Sequence, residues 1–489
     1  MRKNVIFETV SGNKYLYTER TQYFILLHPL LADFVQSENL LTFGQEVEND
    51  TNYYRRKYLF LLDHGILNHI ETPFLTKPDS ENIKIKLANL RQLLFEVTDG
   101  CNLKCHYCGY GELYNNYDKR TSSKLSFEKV KMTVDYMVEL WKSPYNTSYN
   151  NVVDISFYGG EPLLNMDLIK KTISYLEENR IEGLDFTYRM TTNAFFLDLY
   201  MDFLVEKGFN LLISLDGNEY HDSYRLTKGG KSSFKKVYRN ASLLKERYPY
   251  FFEEHVEFNA VLHDRNDYEE VVLFIRERFN KTPNISELND KGLRSDKIDE
   301  FERIYKDINI GQIEFYKKNK VGDADLFVKT ENTELRSVLH GHTGNMYKTL
   351  NDLLRKKEEM MKIPSGICMA FNKKFFLTVN GKVLPCEKIG QENPLGHIDE
   401  NGVNIDFEGI SSFYNKMYVP LLKLCKQCYH HDNCAQCIFN IYDKSKSGKL
   451  HSPTFVNRAT MKNYLSQNIS YIEENPDVYE MMIKKDILG

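Results

Sequence analysis

No stretch of this chain stays apolar for the ~20 residues that a membrane-spanning helix needs, and the run Tyr23–Leu27 is cut at once by His28-Pro29. The opening MRKNVIFETVSGNKY lacks the apolar core of a secretory signal, which predicts a cytoplasmic protein without membrane contact. Excess charge is also missing. The 64 basic and 68 acidic residues are interspersed and leave a net charge of −4, which argues against nucleic acid or another polyanion as partner. There is no internal repeat and no low-complexity tract. Cysteine is scarce, nine in 489 residues, and falls in two clustered sets. That usage suits metal ligation in a reducing compartment rather than a disulfide framework. What remains, with 42% hydrophobic residues, is an ordinary globular composition long enough for two to four domains.

The first cysteine set is the run CNLKCHYC, with Cys101, Cys105 and Cys108. A four-iron, four-sulfur cluster takes four thiolates, so three on one loop would hold three irons and leave the fourth to a small molecule. The alternatives are a zinc knuckle, which prefers paired C-x2-C ligands, and a set of buried thiols. The loop follows Leu90–Gly100, whose mostly apolar Leu93–Val97 reads as a buried parallel strand. Next comes a helix N-capped by Ser126, with Val130, Val134, Met137, Val138 and Trp141 on one face. Strand Val152–Leu164 then runs into Gly159-Gly160-Glu161-Pro162, where two glycines allow close backbone approach and offer free N–H groups to a polar ligand.

Strands and helices go on alternating. Helix Met166–Asn179, strand Leu184–Thr192, helix Leu197–Lys207 and strand Asn210–Leu215 are followed by helix Ser233–Tyr248, strand Val256–Leu262, helix Tyr268–Phe279 and strand Ile308–Tyr316. Such alternation predicts an α/β fold with a parallel sheet and active groups at the carboxyl ends of the strands. The polar stretch Asn280–Asp307 reads as a surface insertion.

The C-x3-C-x2-C pattern, with aromatic Tyr107 before its last cysteine and a GGEP turn about fifty residues later, resembles the radical S-adenosylmethionine (SAM) enzymes. The resemblance implies a partial (β/α)6 barrel, a [4Fe-4S] cluster on Cys101, Cys105 and Cys108, and SAM on its open iron. It also implies that Gly159, Gly160 and Glu161 hold the SAM amino group. Ser214-Leu-Asp-Gly, followed by His221-Asp222 and Arg225, is similar to a segment of the peptide- and protein-modifying branch. Ser214, Arg225 and Asn193 are carried over from it as SAM contacts. The competing reading of Arg225 is a surface ion pair with Asp222.

The other cysteines are Cys368, Cys386, Cys425, Cys428, Cys434 and Cys437. LTVNGKVLPC, ending at Cys386, reads as a hairpin. Cys368-x12-Gly381-x4-Cys386 followed by C-x2-C-x5-C-x2-C is similar to the SPASM extension of radical SAM enzymes, which carries two auxiliary [4Fe-4S] clusters. The chain departs from it twice: the last interval is two residues instead of three, and no cysteine follows Cys437. Six thiolates cannot fully ligate two clusters, so one or two are expected, with His430, His431, Asp432 and His451 as candidate replacements against the reading of solvated loop residues. A zinc site on Cys425, Cys428, Cys434 and Cys437 is the alternative. Glu387 matches in place the proton-accepting aspartate of anaerobic sulfatase maturases. A raised pKa would suit it to that role, whereas a salt bridge with Lys388 or Lys382 would not.

Near the amino terminus, Asn4–Val10 and Lys14–Thr18 predict a hairpin, Pro29 starts a helix, Tyr53–Asp63 is a second helix and Ile83–Leu87 a further strand. The expected order is a small α+β, winged-helix-like module over 1–88 that holds a leader peptide or merely caps the barrel, the barrel over 89–330, and a helical bridge over 331–365. A cysteine-rich Fe–S domain over 366–450 and a helical tail over 451–489 complete it. The function so implied is a radical SAM/SPASM peptide maturase that oxidatively modifies, by cross-linking, a ribosomally made precursor peptide. It would be supplied with electrons by a flavodoxin or ferredoxin in an anaerobic cell. The alternatives are a formylglycine-generating sulfatase maturase and a catalytically silent peptide-binding partner.

Overall fold

A computed structural model describes residues 4–19, 21–37, 49–67, 77–147, 152–308, 369–430, 437–441 and 455–477, with 311, 315, 335, 338, 339, 342, 434, 479 and 480 singly. The chain divides into two units, one of residues 1–77, 322–367 and 415–489, the other of 78–321 and 368–414. This differs from the five consecutive segments expected. Residues 78–88 and 368–414 go with the barrel, and the tail goes with the amino-terminal module.

In the first unit, β1 (Val5–Glu8), β2 (Lys14–Thr18) and β3 (Tyr23–Leu26) form an antiparallel sheet in that order. Helices Pro29–Ser37 and Asn49–Asp63 follow. The carboxy-terminal helix Arg458–Glu474 packs on the same sheet: Ser466 Oγ donates to the Glu8 carbonyl and Ser470 Oγ accepts from Val10 N at 2.9 Å. Met461, Leu465 and Ile469 share a core with Val5, Phe7 and Tyr17.

In the second unit, β4 (Gln92–Thr98) leads into a loop whose Leu103–Cys105 is β5. The other barrel strands are β6 (Val152–Gly159), β7 (Asp185–Thr192), β8 (Asn210–Ser214), β10 (Val256–Val261) and β11 (Asn284–Ser286), with the short β9 (Arg225–Thr227) between β8 and β10. The parallel sheet runs β4-β6-β7-β8-β10-β11, each strand added beside the last, as right-handed crossovers give. Helices Phe127–Trp141, Met166–Glu178, Leu197–Glu206, Phe234–Arg247 and Tyr268–Phe279 lie between them. Ser126 caps the first, its Oγ accepting from Lys129 N at 3.4 Å.

Three expectations fail. Ile83–Leu87 is not a strand but part of helix Ser80–Ala88, because Asp79 caps it by accepting from Asn82 N at 2.7 Å. Residues 308, 311 and 315, where a strand Ile308–Tyr316 is expected, are helical, and the rest of that span lies outside the described residues. The sixth strand is instead β11, inside the segment read as an insertion; three residues at a sheet edge need no apolar run. Finally, the hairpin β12 (Phe375–Leu377) and β13 (Lys382–Leu384) does not stand apart from the barrel. Strand β12 pairs in parallel with β4, Phe376 opposite Leu94, and β14 (Gly396–Asp399) and β15 (Gly402–Ile405) extend the sheet. The barrel is therefore open between β11 and β4, and the free side of β4 carries the Cys386 hairpin.

Candidate active site

The cysteine loop leaves β4 at its carboxyl end. Register slips between Glu96 and Thr98 against β6, a bulge that re-aims the chain just before Cys101. The loop is then pinned from two sides. β5 pairs antiparallel with β9, which sets Cys105 opposite Arg225. On the other side, Gly160 N donates to Thr98 O and Glu161 N to Gly100 O, both at 2.9 Å. Of the two glycine N–H groups expected to be free for a ligand, that of Gly160 is thus used on the end of β4. A Cβ on Gly159, at φ +139°, would stand 2.1 Å from Thr98 O, and one on Gly160 would stand 2.1 Å from Gly100 O. Both glycines are there for contact between backbones.

Cys101, Cys105 and Cys108 are half-buried free thiols. Burial pushes the Cys105 thiol up to about 12 and also raises Cys101, and the neighbouring cysteines add to both shifts. Three crowded soft donors, of which Cys101 and Cys105 resist carrying negative charge alone, suit a cationic group that would neutralise them, as iron does. The Asn102 amide nitrogen is buried beside them without a hydrogen-bond partner among the described residues. Asn193 Nδ2 lies 3.7 Å from Cys101 Sγ and 3.0 Å from Asn102 Oδ1. The residues present therefore fit the cluster.

Glu161 is buried, and its carboxylate accepts from Thr192 Oγ1, Leu163 N and Asn193 N at 2.7, 3.1 and 2.7 Å. It fastens the turn after β6 to the end of β7. Ser214 closes β8, half-buried. Arg225 is not on the surface: its Nε is 3.4 Å from Asp222 Oδ1, and Nη1 donates to Tyr107 OH at 3.1 Å. Tyr107 OH donates in turn to Asp216, beside which His263 Nε2 lies at 3.7 Å. Burial pushes Asp222 up while Arg225 pulls it down. Sequence reasoning noted Tyr107 only as an aromatic and missed this buried network, because its members are far apart in the chain. Replacing Arg225 with methionine removes the guanidinium from the buried network of Tyr107, Asp216 and Asp222. Unfolding in denaturant should show a loss of about 3–5 kcal/mol, part of which Arg225→Lys restores.

Cys386 follows β13, and burial raises its thiol to about 12. Glu387 pairs with Lys374 at 2.8 and 3.0 Å, not with Lys388 or Lys382. Burial pushes its carboxyl up, yet the Lys374 ammonium outweighs this and the net shift is downward. The raised pKa expected of a base is not found. In the other unit, Cys425 ends helix Phe407–Cys425, and Cys428, Cys434 and Cys437 are also half-buried. The His430 ring stacks on His342, centroids 5.1 Å apart, and meets Tyr464 edge-on at 5.0 Å. Cys368, His431, Asp432 and His451 lie outside the described residues. Among the described residues, no three His, Cys, Asp or Glu side chains are arranged around a single metal ion, and no helix is long and apolar enough to cross a membrane.

Residues 95–277 match the Radical SAM superfamily. An uncharacterised protein of Methanocaldococcus jannaschii is 32% identical over 157 residues, which are 32% of this chain and 49% of that protein. A cysteine-type anaerobic sulfatase-maturating enzyme of Clostridium novyi is 30% identical over 161 residues, 32% of this chain and 41% of that enzyme. The radical SAM cyclopropyl synthase TigE of Paramaledivibacter caminithermalis is 24% identical over 310 residues, 62% of this chain and 55% of the synthase. The chain thus spans about half the length, or less, of these relatives. The solved structure of native anSMEcpe with bound AdoMet and Kp18Cys peptide superposes with a TM-score of 0.52 over 81% of this chain and 99% of that one, at 18% identity, a likeness of fold. Sequence motif, barrel and family match agree that residues 95–277 are a radical SAM domain.

Proposed function

We propose that this protein is a radical SAM peptide maturase that oxidatively cross-links a ribosomally made precursor peptide. The observation that carries the reading is the pinned loop with Cys101, Cys105 and Cys108 half-buried at the carboxyl end of β4. A [4Fe-4S] cluster held here would supply the electron for reductive cleavage of SAM into methionine and a hydrogen-abstracting 5′-deoxyadenosyl group. The three thiolates hold the cluster. Gly159, Gly160, Glu161, Asn193, Ser214 and Arg225 would hold SAM, Arg225 from a fixed position because Asp222 and Tyr107 already hold it. Glu387, kept ionised by Lys374, is a proton acceptor of low basicity.

Net oxidation of a peptide must discharge a second electron. One or two auxiliary clusters on Cys368, Cys386, Cys425, Cys428, Cys434 and Cys437 would receive it, and a flavodoxin or ferredoxin would supply the first. The amino-terminal sheet supports a leader-binding role: β3 is an edge strand, with Tyr23 and Leu26 46% and 58% exposed, to which a peptide strand can add. A second reading, a formylglycine-generating sulfatase maturase, is favoured by the Clostridium novyi relative. Conversion of a cysteine- or serine-containing sulfatase peptide to its aldehyde would decide for it.

The test is anaerobic reconstitution followed by SAM and dithionite. We expect 5′-deoxyadenosine well above the no-enzyme background, increasing when the precursor peptide is added. Protein with full iron and sulfide that yields none, with or without peptide, would falsify the reading.

A further inference from the structure

Between Cys108 and helix Phe127–Trp141 the chain makes a long excursion that is firmly held. Asp118 pairs with Lys382 Nζ at 2.7 Å and accepts from Asn380 Nδ2 at 2.9 Å. Its N–H donates to Gln391 Oε1 at 3.0 Å, and Gln391 N donates back to Asn116 O at 2.8 Å. Thr121 N is tied to Asp99 Oδ2 at 3.0 Å. On this braced segment the Tyr110 and Tyr117 rings lie 4.7 Å apart, and the Arg120 guanidinium carbon sits 3.6 Å above the Tyr110 ring.

The guanidinium has no ion pair among the described residues, and its Nε and Nη2 are buried with no hydrogen-bond partner there. Glu96 is close enough to feel its charge, but the Glu96 carboxylate accepts from Val379 N at 3.0 Å instead. Nε and Nη2 are the two donors along one edge of the plane, the edge that meets a carboxylate through two parallel bonds.

Its surroundings say which reactant it meets. Tyr117, stacked against Tyr110, feels the charges of Cys386, Cys108 and Glu387 together with that of Arg120, and Tyr158 feels Glu387, Cys108 and Arg120. Arg120 therefore belongs to a segment that leaves the first cysteine site after Cys108 and is tied, through Asp118, to Asn380 and Lys382 of the hairpin that ends at Cys386. We propose that Arg120, braced on Tyr110, binds a carboxylate of the substrate, so that the peptide modified here carries an acidic side chain next to its reacting residue. This rests on the peptide-maturase reading above.

The test uses the reconstituted holoenzyme with SAM bound and two acetylated pentapeptides, one with a central glutamate and one with glutamine, titrated by calorimetry. The glutamate peptide should bind about tenfold or more tightly. Arg120→Gln should bring the ratio to about one, and Arg120→Lys should restore part of it. Equal binding of both peptides to the wild type, or a preference that survives Arg120→Gln, overturns the proposal. So does a variant that keeps the glutamate preference but no longer distinguishes SAM from decarboxylated SAM, since the carboxylate is then that of SAM. Binding of neither peptide sinks the peptide reading itself, a result distinct from equal binding of both.

Discussion

Replacing Cys105 with alanine should reduce 5′-deoxyadenosine formation to the no-enzyme background and remove about four irons per chain on reconstitution. Cys105 stands opposite Arg225 in the β5–β9 ladder, and that pairing is made by backbone groups. The loop should therefore keep its path in the variant and lose one thiolate donor. Circular dichroism should accordingly be native-like, so the loss can be assigned to the missing ligand. SAM cleavage at the native rate with full iron content would remove the basis of the proposed activity.

The second large effect is expected at Gly160. An alanine there brings its Cβ to 2.1 Å from Gly100 O, 2.4 Å from Gly100 C and 2.8 Å from Asp99 O. These are backbone atoms, which no rotamer change can move aside. The strand end and the cysteine loop must separate, at the expense of the hydrogen bonds from Gly160 N and Glu161 N. We expect a loss of about 1–3 kcal/mol in denaturant unfolding. SAM cleavage should fall on the order of a hundredfold, because a shift of ~1 Å at a catalytic loop has that consequence. Gly229→Ala is the control. Among the described residues its Cβ would have only Thr227 Oγ1 nearby, at 4.0 Å, and its stability should stay within about 0.5 kcal/mol of the native value. Equal behaviour of the two variants would show that the close approach at Gly160 is not needed.

Much of the barrel was legible because its signals are local. Ser126 announces its helix by a cap, and helix Tyr268–Phe279 has the bounds its periodicity predicts. Where competing local signals were misjudged, the reading failed. Ile83–Leu87 looks β-prone by composition, but the Asp79 cap three residues before Asn82 makes it helical. β11 carries too little apolar character to be seen and owes its existence to the edge of β10. In the candidate site, the roles of glycine and arginine were both read too simply. The GGEP backbone is engaged with the cysteine loop, and Arg225 is bound into a buried network with Tyr107 and Asp216. Arg120, in the unremarkable run DKRTSS, gives no sign in the sequence of its place over Tyr110.

By itself the sequence determined the chemistry available: three thiols at C-x3-C-x2-C, a glycine pair at a strand end, and an alternation that can only make a parallel sheet. These are matters of residue type and short-range spacing, which the chain writes directly. Tertiary structure alone decided what each group faces. It placed the Cys386 hairpin on the free edge of β4, paired Glu387 with Lys374 so that its carboxyl is held down instead of up, and left the Nε–Nη2 edge of Arg120 without a partner among the described residues. Partners hundreds of residues apart are chosen by packing and by the energy of buried charge, and neither is written in any one stretch of sequence.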